Sequence, residues 1–320
     1  MKCLAVILFH NDEDLVEDQL DHMIANNHDI LVFDHCSTDR TREIIEKNKH
    51  RLLAYFWLGP EFVFQNNEVF VHISQVLRAK YSHYDWISFV ESDEFLQGPD
   101  RTKSYYQHLL DVHKTKYTWI TFDNFVFWFT EKDDPTIKSP RQRIKHYAYK
   151  SKCGTRVYAW RGNVTNERYF NHNPPENGTE ANKYPIPFRT CHYEMRSAAQ
   201  AKAKLEDRVK KIDEMLEQVK KNKNARFPPN IHYKIMHNKL GNLNIHSSKL
   251  HYDNGGELIA DELNDFSSIY NNNEMEQYRL NAIDTANKAS TANRPKSEPK
   301  TSKTHNNIRK YQLQKQQQNH

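Results

Sequence analysis

Residues 86–95 read Trp86-Ile87-Ser88-Phe89-Val90-Glu91-Ser92-Asp93-Glu94-Phe95. The first five residues have the composition of a buried β-strand, and three carboxylates follow at once. In open α/β folds, ligands bind at the carboxyl ends of the parallel strands. Carboxylates crowded at such an edge repel one another, and a hard divalent cation such as Mg²⁺ or Mn²⁺ relieves that repulsion. Taken alone, the stretch fits a cation site and a solvated acidic turn equally well.

Strand and helix patterns alternate from the first residues up to this stretch. Apolar runs typical of buried strands occur at residues 3–9, 30–33, 52–57 and 86–90. Amphipathic segments lie between them, the first with Leu15, Leu20 and Met23 on one helical face. This order predicts an α/β fold with a mainly parallel sheet flanked by helices.

The rest of the chain is less regular. Strands are predicted at residues 117–122 and 124–129, whose aromatic side chains we expect in the core rather than at an acceptor site. Residues 173–187 are rich in Pro, Asn and Gly and predict a loop. A long helix is predicted over residues 196–223, because apolar residues form one stripe along it. We expect that stripe to pack on the core.

The positive net charge of +5 is concentrated at the end of the chain. Residues 284–320 contain eight Lys/Arg and two Asp/Glu, so residues 1–283 carry about −1. The nearly neutral body excludes a basic nucleic-acid binder. The tail has almost no apolar residues and is predicted to be disordered. It would either hold the protein peripherally at an anionic membrane or act as an inert, solvating segment.

Several protein classes are excluded by motifs that the chain lacks. The eight glycines form neither G-x-G-x-x-G nor G-x-x-x-x-G-K-[ST], which argues against dinucleotide-binding and P-loop enzymes. No run of eighteen apolar residues is present, so no transmembrane helix is predicted. The four cysteines are widely spaced and favour a reduced, cytoplasmic chain over a disulfide framework.

A second predicted strand also ends in a carboxylate. Asp34 follows the apolar run 30–33, and Ser37 and Thr38 are candidates to cap the next helix. In a sheet wound in the usual way, Asp34 and the carboxylates at 91–93 flank one crevice. One side would hold the polar edge of a base or ribose, and the other a metal with bound phosphates. The arrangement suits a nucleotide diphosphate donor.

Three segments resemble, in the right order, elements of family 2 glycosyltransferases, which have the GT-A fold. Residues 5–13 are similar to the family's first strand and the N-E-E-like turn after it, residues 34–41 (DHCSTDRT) to its D-x-x-S-x-D-x-T element, and residues 91–95 (ESDEF) to its D-x-D-E-F element. Residues 192–197 (HYEMRS), with Gln200 and Lys204, resemble an H-Y-x-x-R-S segment of a subgroup acting on surface glycans.

The resemblance implies a GT-A domain over residues 1–270, with a Rossmann-like nucleotide-sugar-binding half at 1–115 and a mixed acceptor half at 116–270. The tail at 284–320 would lie outside this domain. The implied activity is transfer of a sugar, of the hexosyltransferase type, from a nucleotide-diphosphate sugar to a glycan or lipid-linked acceptor in polysaccharide biosynthesis. A UDP-sugar is the first choice of donor.

The resemblance also implies roles by position. Asp34 would accept a hydrogen bond from the donor's base, and the turn of His10, Asn11 and Asp12 would lie along that base. Glu91 would lie near the ribose and the metal, and Asp93 would bind the Mn²⁺ or Mg²⁺ that bridges the diphosphate. Because Glu91 stands where the family has Asp and is one methylene longer, Asp93 is the stronger candidate ligand.

Other residues are candidates for the remaining roles. Asp123 and Asp133 follow or lie within the next predicted strands and are candidate bases for the acceptor hydroxyl. His192 could complete the metal shell or contact the diphosphate, although most of the 18 histidines must be ordinary surface or core residues. Arg196 could neutralise the diphosphate. The alternatives are a nucleotidyltransferase and a non-catalytic nucleotide- or glycan-binding module of the same fold.

Overall fold

One sheet of ten strands organises the described part of the chain. The computed structural model describes residues 1–59, 66–149, 156–162, 179–221, 247 and 250–260. Residues 222–223 of the predicted helix, residues 173–178 of the predicted loop 173–187 and the tail 284–320 lie outside the described residues. No helix among the described residues is long and apolar enough to cross a membrane.

The first half of the sheet is parallel. Its strands are β1 (Cys3–Phe9), β2 (His28–His35), β3 (Ala54–Leu58) and β4 (Trp86–Glu91), in the order β3-β2-β1-β4. Phe9 on β1 is opposite Asp34, and Leu8 is opposite Glu91, so the carboxyl ends of the three strands are level. The register therefore brings the two predicted acidic strand ends to the two sides of β1.

The second half of the sheet is mixed. Its strands are β5 (Glu94–Gln97), β6 (Trp119–Trp128), β7 (His146–Tyr149), β8 (Arg156–Arg161), β9 (Phe188–Met195) and β10 (His251–Tyr252). β8 lies antiparallel between β4 and β6, and β9 pairs with β5 and β6. The prediction of an α/β fold with a parallel half and a mixed half is confirmed.

Two details of this half differ from the sequence prediction. The strands predicted at 117–122 and 124–129 are one continuous strand, β6, because alternating side chains along it are buried on both faces. The acidic stretch after β4 is not a solvated turn, since Glu94 begins β5 and pairs with His192 of β9. The aromatic residues Phe125, Phe127 and Trp128 are buried, as predicted for core residues.

Helices cover the sheet. They are α1 (Val16–Ala25), α2 (Thr41–Lys47), α3 (Asn66–Lys80), α4 (Tyr105–His113), α5 (Pro140–Arg143) and α6 (Ala198–Lys221). The helix predicted to start at residue 196 begins at Ala198. Ser197 Oγ accepts the Gln200 N–H at 3.1 Å and caps the helix. The preceding strand, β9, ends at Met195.

The apolar stripe of α6 docks on the mixed half of the sheet. Ala201 and Leu205 are fully buried in one cluster with Val126, Trp128 and Met195. The stripe therefore packs on the core, as its spacing predicts. Because the stripe is docked, the position of the polar side of α6 relative to the carboxyl edge of the sheet is also fixed.

Candidate functional site

Two loops at the carboxyl edge of the parallel strands are held together by hydrogen bonds. Ser37 Oγ accepts the Asn11 N–H at 3.0 Å, and Thr41 Oγ1 accepts the Asp12 N–H at 2.9 Å. Asn11 has a φ of +56°, a left-handed conformation that Asn adopts more readily than most residues. Its side-chain oxygen accepts the Thr38 N–H at 2.7 Å. The loop after β1 is thereby tied to the loop after β2.

The two aspartates of the D-x-x-S-x-D-x-T element serve the same loops. Asp34 Oδ1 accepts the Ser37 N–H at 3.1 Å. Asp39 accepts the Thr41 N–H at 2.9 Å with one oxygen and the Glu13 N–H at 3.2 Å with the other. All four polar residues that define the element thus accept backbone hydrogen bonds. The element therefore shapes the crevice through hydrogen bonds within the protein.

We expect Thr41→Val to lower the free energy of unfolding by about 1–3 kcal/mol, because it leaves the buried Asp12 N–H without its acceptor. Urea denaturation measures this change. The neighbouring variant Thr38→Val is the control, since Thr38 is exposed, and we expect a change within about 0.5 kcal/mol there. Equal losses in the two variants would contradict this role of Thr41.

The predicted base-binding residues lie together at this edge. Asp34 is fully buried, and the Tyr55 hydroxyl approaches its second oxygen at 3.4 Å. His10 Nδ1 lies 2.5 Å from the carbonyl oxygen of His35, and its Nε2 lies 2.9 Å from Lys211 Nζ. The contacts of Asp34 and His10 with a base remain predictions.

Arg196, the candidate for neutralising the diphosphate, is buried between two carboxylates. Its side chain is 1% exposed, and its guanidinium contacts Asp12 Oδ1 at 2.8 Å and both oxygens of Asp14 at 2.9 Å. Asp12 also accepts a hydrogen bond from the Ser92 hydroxyl. Arg196 therefore ties the loop after β1 to the end of β9, and its contact with a donor diphosphate remains a prediction.

Asp93 lies between the ammonium of Lys204 and the imidazole of His192. Its Oδ2 lies 2.8 Å from Lys204 Nζ and its Oδ1 lies 3.4 Å from His192 Nε2, and the residue is 4% exposed. Burial opposes ionisation, but the Lys204 ammonium and His192 outweigh it and hold the pKa of Asp93 well below its usual range. The pKa of His192 is raised: burial by itself lowers it, but the negative charge of Asp93 outweighs that effect.

The polar side of α6 places three basic residues over this edge. Lys204 contacts Asp93, Arg208 Nη1 lies 3.4 Å from a carboxylate oxygen of Glu194, and Lys211 contacts His10. The three positions are spaced i, i+4 and i+7, so they share one face of the helix. These three side chains, called the positive strip below, run along the crevice between the ends of β1, β4 and β9. Each of them is paired with a carboxylate, Lys211 with Asp207 at 2.7 Å.

The other two carboxylates of the ESDEF stretch do not join Asp93. Glu94 is fully buried and accepts hydrogen bonds from Tyr158 at 2.6 Å and from Arg156 at 2.9 Å. Glu91 is half-buried at the end of β4, and its N–H donates to Glu94 Oε2 at 3.4 Å. The pairing with β9 turns Glu94 into the sheet, so the three carboxylates do not form one cluster.

The predicted metal ligands are too few for a divalent ion as they stand. Asp93 and His192 lie close together as predicted, but the ammonium of Lys204 is bound to Asp93 Oδ2, which leaves Oδ1 as the one oxygen of that carboxylate without a hydrogen-bond partner among the described residues. Mg²⁺ and Mn²⁺ require several oxygen ligands at close range. Within the part of the chain that the structure describes, no three His, Cys, Asp or Glu side chains are grouped to hold a metal ion.

The two candidate bases lie in the mixed half. Asp123 is half-buried on β6, and the Tyr149 hydroxyl approaches it at 3.4 Å. Asp133 follows β6 and accepts the Thr130 N–H at 2.8 Å. Burial raises the pKa of both carboxyl groups. Neither has a measured position relative to an acceptor, so their catalytic role remains a prediction.

Sequence reasoning missed most of the positive strip. Lys204 entered only as part of a resemblance, while Arg208, Lys211 and Asp14 were not singled out. The available signal was a spacing in the sequence: Lys204, Arg208 and Lys211 each come directly before a residue of the apolar stripe. A charged face at that spacing is usually solvated, and only the docking of α6 shows that this one covers the sheet edge.

A parallel sheet with paired loops at its carboxyl edge, joined to a mixed half, defines the GT-A class of α/β transferases. The profile of "Glycosyl transferase family 2" matches residues 4–199, well over half of the chain. The chain belongs to this family. No curated protein sequence matches it.

Comparison with solved structures gave matches of low identity and low TM-score. TarS of S. aureus is 13% identical, with 76% of this chain and 43% of TarS covered and a TM-score of 0.31. TarS residues 1–349 in complex with UDP is 14% identical, with 76% and 71% covered and a TM-score of 0.32. HddC from Yersinia pseudotuberculosis is 9% identical, with 61% and 91% covered and a TM-score of 0.30. The chain thus spans less than half the length of the first of these TarS chains, and membership of the family rests on the profile match.

Proposed function

We propose that this protein is a glycosyltransferase that moves a hexose from a nucleoside-diphosphate sugar, a UDP-sugar first, to a hydroxyl of a glycan or lipid-linked acceptor in surface-polysaccharide biosynthesis. The observation that supports it best is the placement of two acidic strand ends on either side of β1, within the family match: Asp34 on β2 lies opposite Phe9, and Glu91, two residues before Asp93, lies opposite Leu8. Ligands of open α/β sheets bind at such a crevice. The donor half at 1–115 and the acceptor half at 116–270 are part of the same proposal.

The chemistry divides between the two halves. In the donor half, the loops after β1 and β2 form one wall for the nucleoside, and the positive strip of α6 faces the diphosphate. In the acceptor half, a carboxylate takes the proton of the attacking hydroxyl, and the bond between the sugar carbon and the phosphate oxygen breaks. Burial raises the pKa of Asp123 and of Asp133, which makes each carboxylate a stronger base.

A thermal-shift screen with UDP, GDP, CDP and ADP tests the proposal, in EDTA and in Mn²⁺. We expect one diphosphate, UDP first, to raise Tm by about 5–10 °C at about 100 times its Kd, because a ligand at that excess adds about 2.7 kcal/mol. Hydrolysis of the matching nucleotide sugar then reports turnover. The Mn²⁺ or Mg²⁺ predicted from the sequence is one variable of the screen.

The outcomes separate the alternatives. Asp34→Asn should reduce the shift, while Asp21→Asn, on the exposed face of α1, should leave it unchanged. Stabilisation by a diphosphate without any hydrolysis or transfer would favour a non-catalytic binding module. Stabilisation by nucleoside triphosphates alone would favour a nucleotidyltransferase. If no nucleotide changes Tm under either condition, the proposed function is wrong.

The basic tail at 284–320 adds a proposal on location. We propose that it holds the protein peripherally at an anionic membrane on the cytoplasmic side, where lipid-linked acceptors would be met. The charge of the tail, and not the folded body, supports this.

A further inference from the structure

The carboxylate of Asp93 is paired with a cation that the protein itself supplies, the ammonium of Lys204. The distance of 2.8 Å from Lys204 Nζ to Asp93 Oδ2 is that of a charge-assisted hydrogen bond. Both side chains are largely shielded from water, with Asp93 at 6% and Lys204 at 16% side-chain exposure. Such a pair is screened little by salt and is held far more firmly than a surface pair.

The ammonium of Lys204 is also oriented by a second acceptor. It donates to the carbonyl oxygen of Glu194 at 3.1 Å. An ammonium has three N–H donors, and Asp93 and Glu194 account for two of them among the described residues. The third is available for an oxygen in the crevice, and a phosphate oxygen is the acceptor that best matches its charge.

The position of Lys204 is fixed by its neighbours in the helix. Leu205 and Ala201 are fully buried against the sheet, so the turn of α6 that carries Lys204 cannot shift without breaking that packing. Lys211 lies seven residues further along the same face, about 10 Å away at the rise of an α-helix. The strip is therefore long enough to accompany a diphosphate.

We propose that Lys204, held by Asp93, takes the place of the divalent metal and stabilises the diphosphate leaving group, so that the enzyme binds its donor without a metal. The proposal rests on the function proposed above. As the bond from the sugar carbon to the β-phosphate oxygen breaks, its electron pair stays on that oxygen. The added negative charge falls where the fixed ammonium lies, and preorganised charge of this kind lowers the barrier. Asp93 is then a positioning residue for Lys204, and the ESDEF stretch serves the diphosphate indirectly.

Calorimetric titration of the wild type with UDP and UMP, in EDTA and in Mn²⁺, gives the first test. If the screen identifies another base, the corresponding diphosphate and monophosphate are the probes. We expect the Kd of the diphosphate in EDTA to agree within about threefold with that in Mn²⁺, because no metal bridge is lost. Binding that weakens by more than about tenfold in EDTA would overturn the inference and leave the proposed function intact. Binding of no nucleotide under either condition would overturn both.

The second test compares variants of α6 in EDTA. Lys204→Met should weaken UDP binding by at least about tenfold, the cost of one charge-assisted hydrogen bond, and should leave UMP binding unchanged within about twofold. Lys204→Arg should retain part of the preference for UDP. Lys202→Met is the matched control on the same helix, because Lys202 has 66% side-chain exposure, and we expect no change there.

A third variant separates contact with the ligand from loss of stability. Lys204→Met alone leaves the buried Asp93 with only His192, which could destabilise the fold. The double variant Asp93→Leu/Lys204→Met removes both charges and should recover stability, yet it should still lose the preference for UDP over UMP. Recovery of that preference in the double variant, or equal losses of UDP and UMP in Lys204→Met, would overturn the inference.

Discussion

Replacing Arg196 by methionine is expected to lower the free energy of unfolding by about 3–5 kcal/mol, the cost of removing one partner from a buried ion pair. The guanidinium is 1% exposed and contacts both Asp12 and Asp14, so its loss leaves the buried Asp12 carboxylate without its counter-charge. Urea denaturation followed by circular dichroism measures the change. The loop after β1 should also loosen, because Arg196 is its tie to β9.

Two further variants frame this prediction. Arg196→Lys retains the charge but loses the two-pronged contact with Asp14, so an intermediate loss is expected. Arg40→Met is the surface control, since Arg40 has 66% side-chain exposure in its pair with Glu43, and we expect a change within about 0.5 kcal/mol. A loss below about 1 kcal/mol in Arg196→Met would show that Asp12 and Asp14 do not depend on it.

Glu94→Leu is expected to cost about 3 kcal/mol or more, because it leaves the largely buried Arg156 without its carboxylate. Tyr158 loses its hydrogen-bond acceptor in the same variant. Equilibrium denaturation again gives the change. The double variant Glu94→Leu/Arg156→Met removes both charges, so it should recover more than half of the loss.

This cycle distinguishes a structural role of Glu94 from a role in the crevice. If Glu94 served a ligand, the double variant would lose nucleotide binding while regaining stability. We expect instead that it retains the nucleotide-induced rise in Tm, since Glu94 faces Arg156 and Tyr158 inside the sheet. Glu43→Leu is the surface control, because the pair of Glu43 with Lys47 is exposed. A double variant as unstable as the single one would contradict the pairing.

The elements that sequence reasoning located well are those whose burial is a local property. β1 has the predicted bounds, Cys3–Phe9, because a strand covered on both faces must be apolar at every position. The strand before Glu91 was equally clear. β6 was divided in two by the polar pair Asp123 and Asn124, because a partly polar step in a long strand looks like a turn when its partners are unknown.

In the candidate site, too, some features follow from the local sequence and others depend on distant partners. Asp34 and Asp93 were placed at the edge of the sheet from the strand ends alone, and the structure brings both to that edge. The long-range contacts of the site were not predictable, since Thr41 accepts the N–H of Asp12, 29 residues away, and Lys204 reaches Asp93 across 111 residues. Contacts over such separations depend on how α6 docks, and no spacing within the chain reports that.

The local pattern of apolar runs and capping residues was therefore sufficient for the α/β class, the parallel order of the first four strands and the edge at which the site lies. Only the folded chain assigns each charge at that edge. It turns Glu94 inwards to Arg156, commits Arg196 to Asp12 and Asp14, and sets Lys204 on Asp93. The physical reason is that a strand's burial follows from its own side chains, whereas a buried charge is stable only beside a partner that tertiary packing supplies.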